Sequence, residues 1–219
     1  MPIQKLAALS VTFLLLGACT TVPKTPITQQ NQTAWAQYQA TTSQIENWDL
    51  RGRAVVLIDR AVHHVGLAWQ QHAGRFLITL EAPFGQGAIR LETNPKSSLP
   101  VKLSLADGQI IDAETAEAAL ERVTGWFIPV SDLQFWIKGL PQQSSDFSYQ
   151  LNGDGRLKSL QQNGWHIDYL SYFGSAEPGR GLPRKIYLKH NRLTLKIVIA
   201  HWQKPEVTSS KNQLFPDFN

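Results

Sequence analysis

The sequence predicts a mostly β protein, in which an antiparallel sheet of about ten strands curls into a barrel or a sandwich. Short segments rich in β-branched and aromatic residues recur along most of the chain. Turn signals such as Asp107-Gly108 separate them. The helical segments are too few to alternate with the strands, which excludes a doubly wound fold. The helices are then expected either outside the sheet or as a plug in an open mouth.

The first 18 residues have the features of a secretory signal peptide. Lys5 supplies positive charge, and the apolar stretch after it is too short to span a membrane. Small residues then precede Cys19, the only cysteine of the chain, in an arrangement that resembles the lipobox of bacterial lipoproteins. We therefore predict cleavage before Cys19 and lipidation of its thiol. The alternative is a free or buried thiol behind an ordinary signal.

The rest of the chain divides into three predicted parts. Residues 19–33 are polar and proline-containing, and are predicted to be a lipidated tether. Residues 34–206 form the folded domain, and residues 207–219 form a polar tail. Thr20 follows the lipidated position, and no acidic residue stands there. By resemblance to the sorting rule of enteric-type lipoproteins, this predicts an outer-membrane anchor with the domain facing the periplasm.

The domain is predicted to open with a helix and continue with strands. Thr33 caps the helix, which runs to about residue 46 with Trp35, Tyr38 and Ile45 as inward-facing candidates. The first strands, recognised by β-rich composition and partial alternation, are residues 48–58, 62–71, 75–81, 86–92 and 101–105.

Two helices are predicted in the middle of the chain. Residues 112–123 are rich in Ala and Glu, and Asp112 is the predicted cap. Ser131 and Gln134 have the spacing of a capping box at the start of a short helix. Gly139 ends that helix.

Strands then resume to the end of the domain. They are predicted at residues 147–151, 156–162, 165–169, 183–190 and 192–202. In the last of them, Leu193, Leu195, Ile197 and Ile199 are predicted to share one face, because side chains alternate along a strand.

Recognisable catalytic motifs are missing from the sequence. It contains neither a nucleophile elbow nor a phosphate-binding loop. His63 and His64 are adjacent on a strand and would point to opposite faces, which disfavours a shared metal. The formal net charge of +4 is modest, and the sequence contains no Lys/Arg run, so no nucleic-acid partner is expected. A mildly basic surface would favour anionic head groups, but a solvated face is the preferred explanation. We predict a protein that is not an enzyme and carries no cofactor.

A series of short motifs extends over nearly the whole mature chain. Each motif is weak alone, but their order and spacing are specific. They are Trp48-x-x-x-Gly52-Arg53, Trp69-Gln70-Gln71, Pro83-Phe84-Gly85, Asp107-Gly108, the L-Q-F-W-I-K-G-L-P segment at 133–141, Gln162-Asn163-Gly164-Trp165, and Ile199-x-x-Trp202. In these features the chain resembles the LolB family of outer-membrane lipoprotein receptors.

The resemblance implies an antiparallel, incomplete (open) β-barrel of about ten or eleven strands, with a few helices covering the opening. It further implies a hydrophobic cavity that accepts acylated lipoprotein cargo from a soluble, LolA-like periplasmic carrier. The cargo would then enter the inner leaflet of the outer membrane without nucleotide hydrolysis. The expected partners are the carrier, the cargo and outer-membrane phospholipid, and a monomer is expected.

The resemblance also assigns a role to Phe84. In the family a protruding loop carries a hydrophobic residue, typically leucine, that is important for membrane insertion. Phe84 matches that position, and the flanking Pro83 and Gly85 suit a loop tip. The alternative is that Phe84 folds back and packs.

Five tryptophans are candidates for the cavity or the core, namely Trp48, Trp69, Trp136, Trp165 and Trp202. Three other functions remain open at this point. The first is an anchored module that carries a lipid or glycolipid, which has no need for an exposed apolar tip. The second is a structural lipoprotein of an envelope assembly, which needs no acyl-sized cavity. The third and least supported is an anchored hydrolase, because it would need a convergent polar pocket that the sequence does not display.

Overall fold

A computed structural model describes residues 29–203 of the protein. It contains an eleven-stranded antiparallel sheet and three α-helices. The helices are α1 (Gln29–Ser43), α2 (Ala116–Thr124) and α3 (Val130–Trp136). The strands are β1 (Trp48–Ile58), β2 (Ala61–His72), β3 (Arg75–Glu81), β4 (Ala88–Thr93), β5 (Val101–Leu105), β6 (Ile110–Ala113), β7 (Phe147–Leu151), β8 (Leu157–Gln162), β9 (Trp165–Tyr172), β10 (Pro183–His190) and β11 (Leu193–Gln203).

The sheet is open, as predicted for an incomplete barrel. Its order is β6-β5-β4-β3-β2-β1-β11-β10-β9-β8-β7, so that β6 and β7 form the two edges. The central seam joins the longest strands, where β1 pairs with both β2 and β11. A sheet of this width curls because each strand is rotated relative to its neighbour. The mostly β, antiparallel fold is therefore confirmed.

Successive turns alternate between the two ends of the sheet, because neighbouring strands are antiparallel. We call the end that carries the β3–β4 turn at Phe84 the mouth end. The opposite end, which carries the β7–β8 turn near Asn152, is the base end. The first turn of α1 lies at the base end, where the Asn31 side-chain amide donates to the backbone carbonyl of Asn152 at 3.3 Å.

The core lies on the concave face of the sheet and follows the alternation of the strands. Leu193, Leu195, Ile197 and Ile199 of β11 are all buried, which confirms their predicted common face. The outward positions between them, such as Lys196 and Val198, are exposed. α2 and α3 pack against each other, and α2 also contacts β5 and β6. The helices therefore cover the concave face of the open sheet.

The start of α1 differs from the prediction. The helix begins at Gln29, so Thr33 lies inside it and is not its cap. The Thr33 hydroxyl donates to the Gln29 carbonyl at 3.1 Å, a bond that belongs to a helix interior. Residues 29–33 of the predicted tether are thus helical. Trp35 is buried as expected, whereas Ile45 lies in the turn after the helix.

The predicted helix at 112–123 was placed too early. Asp112 lies in β6, opposite Lys102 of β5. The Asp107-Gly108 turn brings the chain back as a strand, and pairing with β5 overrides the local helix preference. The helix begins after Thr115, whose hydroxyl accepts a hydrogen bond from the Ala118 N–H at 3.1 Å.

The predicted capping box at Ser131 is also wrong. α3 starts one residue earlier, directly after Pro129. The Ser131 N–H donates to the Glu117 carboxylate of α2 at 2.7 Å, and the Gln134 side chain donates to the Ser131 carbonyl at 2.8 Å. A tertiary contact between the two helices therefore replaces the local cap. Gly139 follows the helix with a φ of 75°, as expected for a residue that ends one.

Candidate functional site

An apolar cavity lies between the concave face of the sheet and the two helices. It has a volume of about 80 Å³ and is lined by 16 residues, all of them apolar. The strands contribute side chains such as Ala54 and Ile197, while Leu120 of α2 and Leu133 of α3 form the opposite wall. A space lined only by apolar side chains suits an apolar chain and not a polar ligand, which would lose its hydrogen bonds to water there.

This inner cavity opens into a wider space at the mouth end. The mouth space has a volume of about 590 Å³ and shares Val65, Leu80 and Ile128 with the inner cavity, so the two are continuous. The segment between α2 and α3 borders it. There, the Trp126 ring lies 5.2 Å from the ring of His63, and Phe127 is 52% exposed.

Phe84 stands at the rim of this mouth. Its side chain is 98% exposed, so it does not fold back and pack. The residue forms the centre of a single 3-10 turn, Pro83–Gly85, with φ 58° and ψ 23°. Pro83 and Gly85 flank it as predicted, and the Ala82 N–H donates to the Gly87 carbonyl at 2.9 Å below the turn. A large aromatic side chain in the left-handed region is uncommon and is found where function maintains strain.

Only one of the five candidate tryptophans lines the inner cavity. Trp69 of β2 does so from the base side. Its ring lies 5.2 Å from that of Trp48, and the Trp48 ring lies 5.5 Å from that of Trp202. These three indoles fill the base end of the barrel, where they close the cavity floor.

The other two tryptophans pack in the half of the core around α3. Trp136 and Trp165 have ring centroids 6.1 Å apart, and both are buried. The Trp136 indole N–H donates to the side-chain oxygen of Gln162 at 2.8 Å. A buried polar indole needs such a partner, and Gln162 supplies it. Neither ring reaches the apolar cavity, so both serve as core residues.

Buried ionisable groups lie away from the mouth, beneath α1. The Lys138 ammonium donates to the Ile45 carbonyl at 3.0 Å, and burial lowers the pKa of Lys138. The Tyr38 hydroxyl of α1 donates to the Lys138 carbonyl at 2.7 Å. Burial also raises the pKa values of Tyr38 and Tyr169. These groups attach α1 to the base and do not face the cavity.

The remaining predicted sites have the following positions. Cys19 and the polar tail at 207–219 lie outside the described residues. His63 and His64 lie on opposite faces of β2. The Nε2 atom of His72 lies 2.6 Å from Oδ1 of Asp49. Within residues 29–203, no cluster of three metal-ligating side chains occurs. In the same span, no helix has the length and apolarity needed to cross a bilayer.

Sequence reasoning missed the segment between α2 and α3. Trp126, Phe127 and Ile128 follow Gly125, which has a φ of 74° and ends α2. Three consecutive large apolar residues between a helix-ending glycine and Pro129 are unusual for a connection that faces water. That run was the available signal that this segment borders an apolar opening.

Comparison with known proteins agrees with this arrangement. The profile of the family described as "Outer membrane lipoprotein LolB" matches residues 46–202. The chain belongs to the LolB family. The outer-membrane lipoprotein LolB of Pseudomonas savastanoi pv. phaseolicola is 34% identical over 77% of this chain and 80% of its own length. The LolB of Nitrosococcus oceani is 33% identical over 91% of this chain and 97% of its own length.

A solved structure shares the fold of this LolB family member. A DUF1329 family protein from Desulfovibrio piger aligns with a TM-score of 0.52 and 8% sequence identity, covering 83% of this chain and 96% of the other. At that identity the likeness concerns the fold alone.

Proposed function

We propose that this LolB family protein is an outer-membrane lipoprotein receptor. It accepts acylated lipoproteins from a soluble, LolA-like periplasmic carrier and inserts them into the inner leaflet of the outer membrane. Its part in this process is binding and transfer, with no nucleotide hydrolysis and no other catalysis. It acts as a monomer, held on the membrane by lipid on Cys19.

One observation carries the proposal: an all-apolar cavity opens at a mouth whose rim bears the fully exposed Phe84. Acyl chains need the cavity, because hiding each methylene from water is worth about 0.8 kcal/mol. Insertion into a bilayer needs an apolar tip beside the opening. A passive lipid carrier explains the cavity but not the tip, so Phe84 favours the receptor over that alternative.

The resting cavity is smaller than the cargo requires. An inner volume of about 80 Å³ admits only part of an acyl chain, whereas the mouth space adds about 590 Å³. Cargo entry therefore moves the Trp126–Ile128 segment and the helices away from the concave face. The segment and the helices together form one wall of the cavity. Their movement widens the cavity without breaking any strand pairing in the antiparallel sheet.

Transfer between purified components tests the proposal. A radiolabelled lipoprotein on its carrier is mixed with the mature chain carrying Cys19→Ala, and the products are then mixed with liposomes. Cargo is expected to move to the receptor and then into liposomes in the absence of ATP. Cargo that stays on the carrier, while the receptor binds free fatty acid, would instead establish a lipid-carrying module.

A further inference from the structure

A basic strip runs along the convex face of the sheet, next to the Phe84 turn. Its members are Arg53 of β1, Lys185 of β10 and Lys196 of β11, all of them exposed. The strand register places Arg53 and Lys185 on either side of Val198, and Lys196 beside Val55. Since neighbouring strands are about 4.8 Å apart, the three cations occupy one continuous area of surface.

Few carboxylates oppose this strip. The three strands that carry it contain one acidic residue, Asp49, which lies 2.6 Å from His72 near the base end. On the flanking strand β9, Asp168 lies 3.2 Å from His166. The nearest other carboxylate is Glu81 of β3, which pairs with Gly66 of β2 across from Arg53 and lines the same groove, so it offsets one of the three positive charges. The excess of positive charge is therefore concentrated on this part of the convex face.

A surface groove connects the strip to the Phe84 turn. It has a volume of about 530 Å³ and is lined by Arg53, His64 and Lys196 on one side and by Ala82 and Pro83 on the other. Pro83 is the residue directly before Phe84. A bilayer that receives the Phe84 ring therefore brings its headgroups to the same groove.

The position of the anchor constrains how the barrel can lie on the membrane. Nine residues separate Cys19 from Gln29, and a fully extended segment of this size reaches at most about 35 Å. α1 begins at the base end, whereas Phe84 stands at the mouth end, and the strand β1 that runs between these ends is about 36 Å long. An upright barrel with Phe84 in the bilayer holds Gln29 away from the membrane surface, close to the limit of that reach. A barrel on its side brings Gln29 nearer to the membrane.

We propose that the basic strip binds the phosphate headgroups of anionic phospholipid and holds the barrel on its side while Phe84 enters the bilayer. The proposal rests on the proposed anchoring and insertion. Arginine suits a phosphodiester because its guanidinium donates two parallel hydrogen bonds. Each basic side chain near an anionic surface raises partitioning about fivefold, so three raise it on the order of a hundredfold.

Vesicle flotation tests the strip. The mature chain carrying Cys19→Ala is mixed with phosphatidylcholine vesicles, with or without phosphatidylglycerol, and no carrier or cargo is present. Binding is expected to increase with phosphatidylglycerol and to fall as salt is added. Substitution of Arg53, Lys185 and Lys196 by Gln is expected to remove on the order of a hundredfold of that increase. Binding to phosphatidylcholine alone should not change.

The control removes the same charge elsewhere. Lys96, Arg122 and Lys158 are exposed and lie outside the strip, and their triple Gln variant should keep most of the phosphatidylglycerol effect. An equal loss in both triple variants would overturn the proposal in favour of unspecific net charge. If the strip variant binds vesicles normally but no longer receives cargo, the strip is a carrier-docking surface and the proposal is wrong. Because flotation contains no cargo, its failure is separate from failure of cargo transfer.

Discussion

At the scale of single residues, Phe84 has two energetically unfavourable features that no packing contact offsets. Its backbone is in the left-handed region, and its ring is almost wholly in water. A glycine would relieve the first cost and any polar residue the second. A residue that retains both is understandable if its ring enters a bilayer, where burying a Phe side chain is worth about 1.5–3 kcal/mol.

Phe84→Glu should abolish most membrane insertion without affecting folding. A carboxylate at the tip must be desolvated to enter lipid, so delivery of cargo to liposomes should fall at least about tenfold. The exposed site should change the free energy of unfolding by no more than about 0.5 kcal/mol. Phe84→Leu should retain activity, and Gln150→Glu, at an exposed position on the edge strand β7 away from the basic strip, is the charge control. Normal delivery by Phe84→Glu would refute the insertion role.

Gly52 lies at the central seam of the sheet, where β1 and β11 approach too closely to leave room for a Cβ atom. A Cβ at this position would collide with the carbonyl of Val198 on β11, where the β1–β11 register shifts. Gly52→Ala should therefore destabilise the protein by about 3 kcal/mol, measured by urea unfolding. Gly66→Ala, opposite Arg53 on β2, has room for its methyl group and should change stability by less than about 0.5 kcal/mol. Equal effects of the two changes would contradict the close approach.

At the scale of elements, the sequence predicted what alternation and turn chemistry determine. The bounds of β1, β3, β5, β7 and β10 agree with the predicted ranges, since each has a β-rich run between turn residues. β6 was missed because its four residues precede an Ala- and Glu-rich helix and only pairing with β5 makes them a strand. The predicted capping box at Ser131 was wrong for the same reason. The Ser131 N–H bonds to the carboxylate of Glu117 on α2, a tertiary partner, instead of taking part in a local cap.

The cavity wall offers a test at this scale. Ala54 is a small residue that lines the inner cavity. Ala54→Phe should fill that space and weaken binding of a fluorescent fatty acid at least about tenfold, while the protein stays folded. Ala200→Phe, on the exposed face of β11, adds the same ring outside and should leave binding unchanged. Unaltered fatty-acid binding by Ala54→Phe would place the acyl site elsewhere.

At the scale of the whole molecule, the sequence predicted an open barrel with an apolar interior, but not the location of its charge. Lys185 and Lys196 belong to neighbouring strands of one hairpin, whereas Arg53 is distant in the sequence and joins them only through the pairing of β1 with β11. The mouth space is likewise lined by Val65, Leu80 and Ile128, and no local sequence pattern predicts that these residues lie together. Long-range strand pairing, and not composition, creates both surfaces.

Alkaline pH should destabilise the whole fold. Burial raises the pKa values of Tyr38, Tyr169 and Tyr172, so their neutral forms stabilise the folded state below the ordinary tyrosine pKa of about 10. That stability is lost as pH rises further, by up to about 1.4 kcal/mol per pH unit for each tyrosine. The lowered pKa of Lys138 acts in the opposite direction, but only below about pH 10.4.

Urea unfolding between pH 10.5 and 12 measures this loss. Its slope should be smaller in Tyr169→Phe, which removes one buried hydroxyl from the titration. Tyr187→Phe, at a half-buried position on β10, is the control for the loss of a tyrosine hydroxyl as such. A flat stability profile in the wild type would contradict the sign of the tyrosine shifts.

The proposed receptor function requires that the cargo's acyl chains lie in the concave cavity. A photoreactive residue replaces Val65, which lines the cavity and the mouth, or Val55, which faces outward on the adjacent strand. After transfer from the carrier, illumination should join the lipidated cargo to position 65 but not to position 55, and cargo without acyl chains should not be joined at all. Equal capture at both positions, or capture of acyl-free cargo at position 65, would contradict the concave cavity as the lipid-binding site.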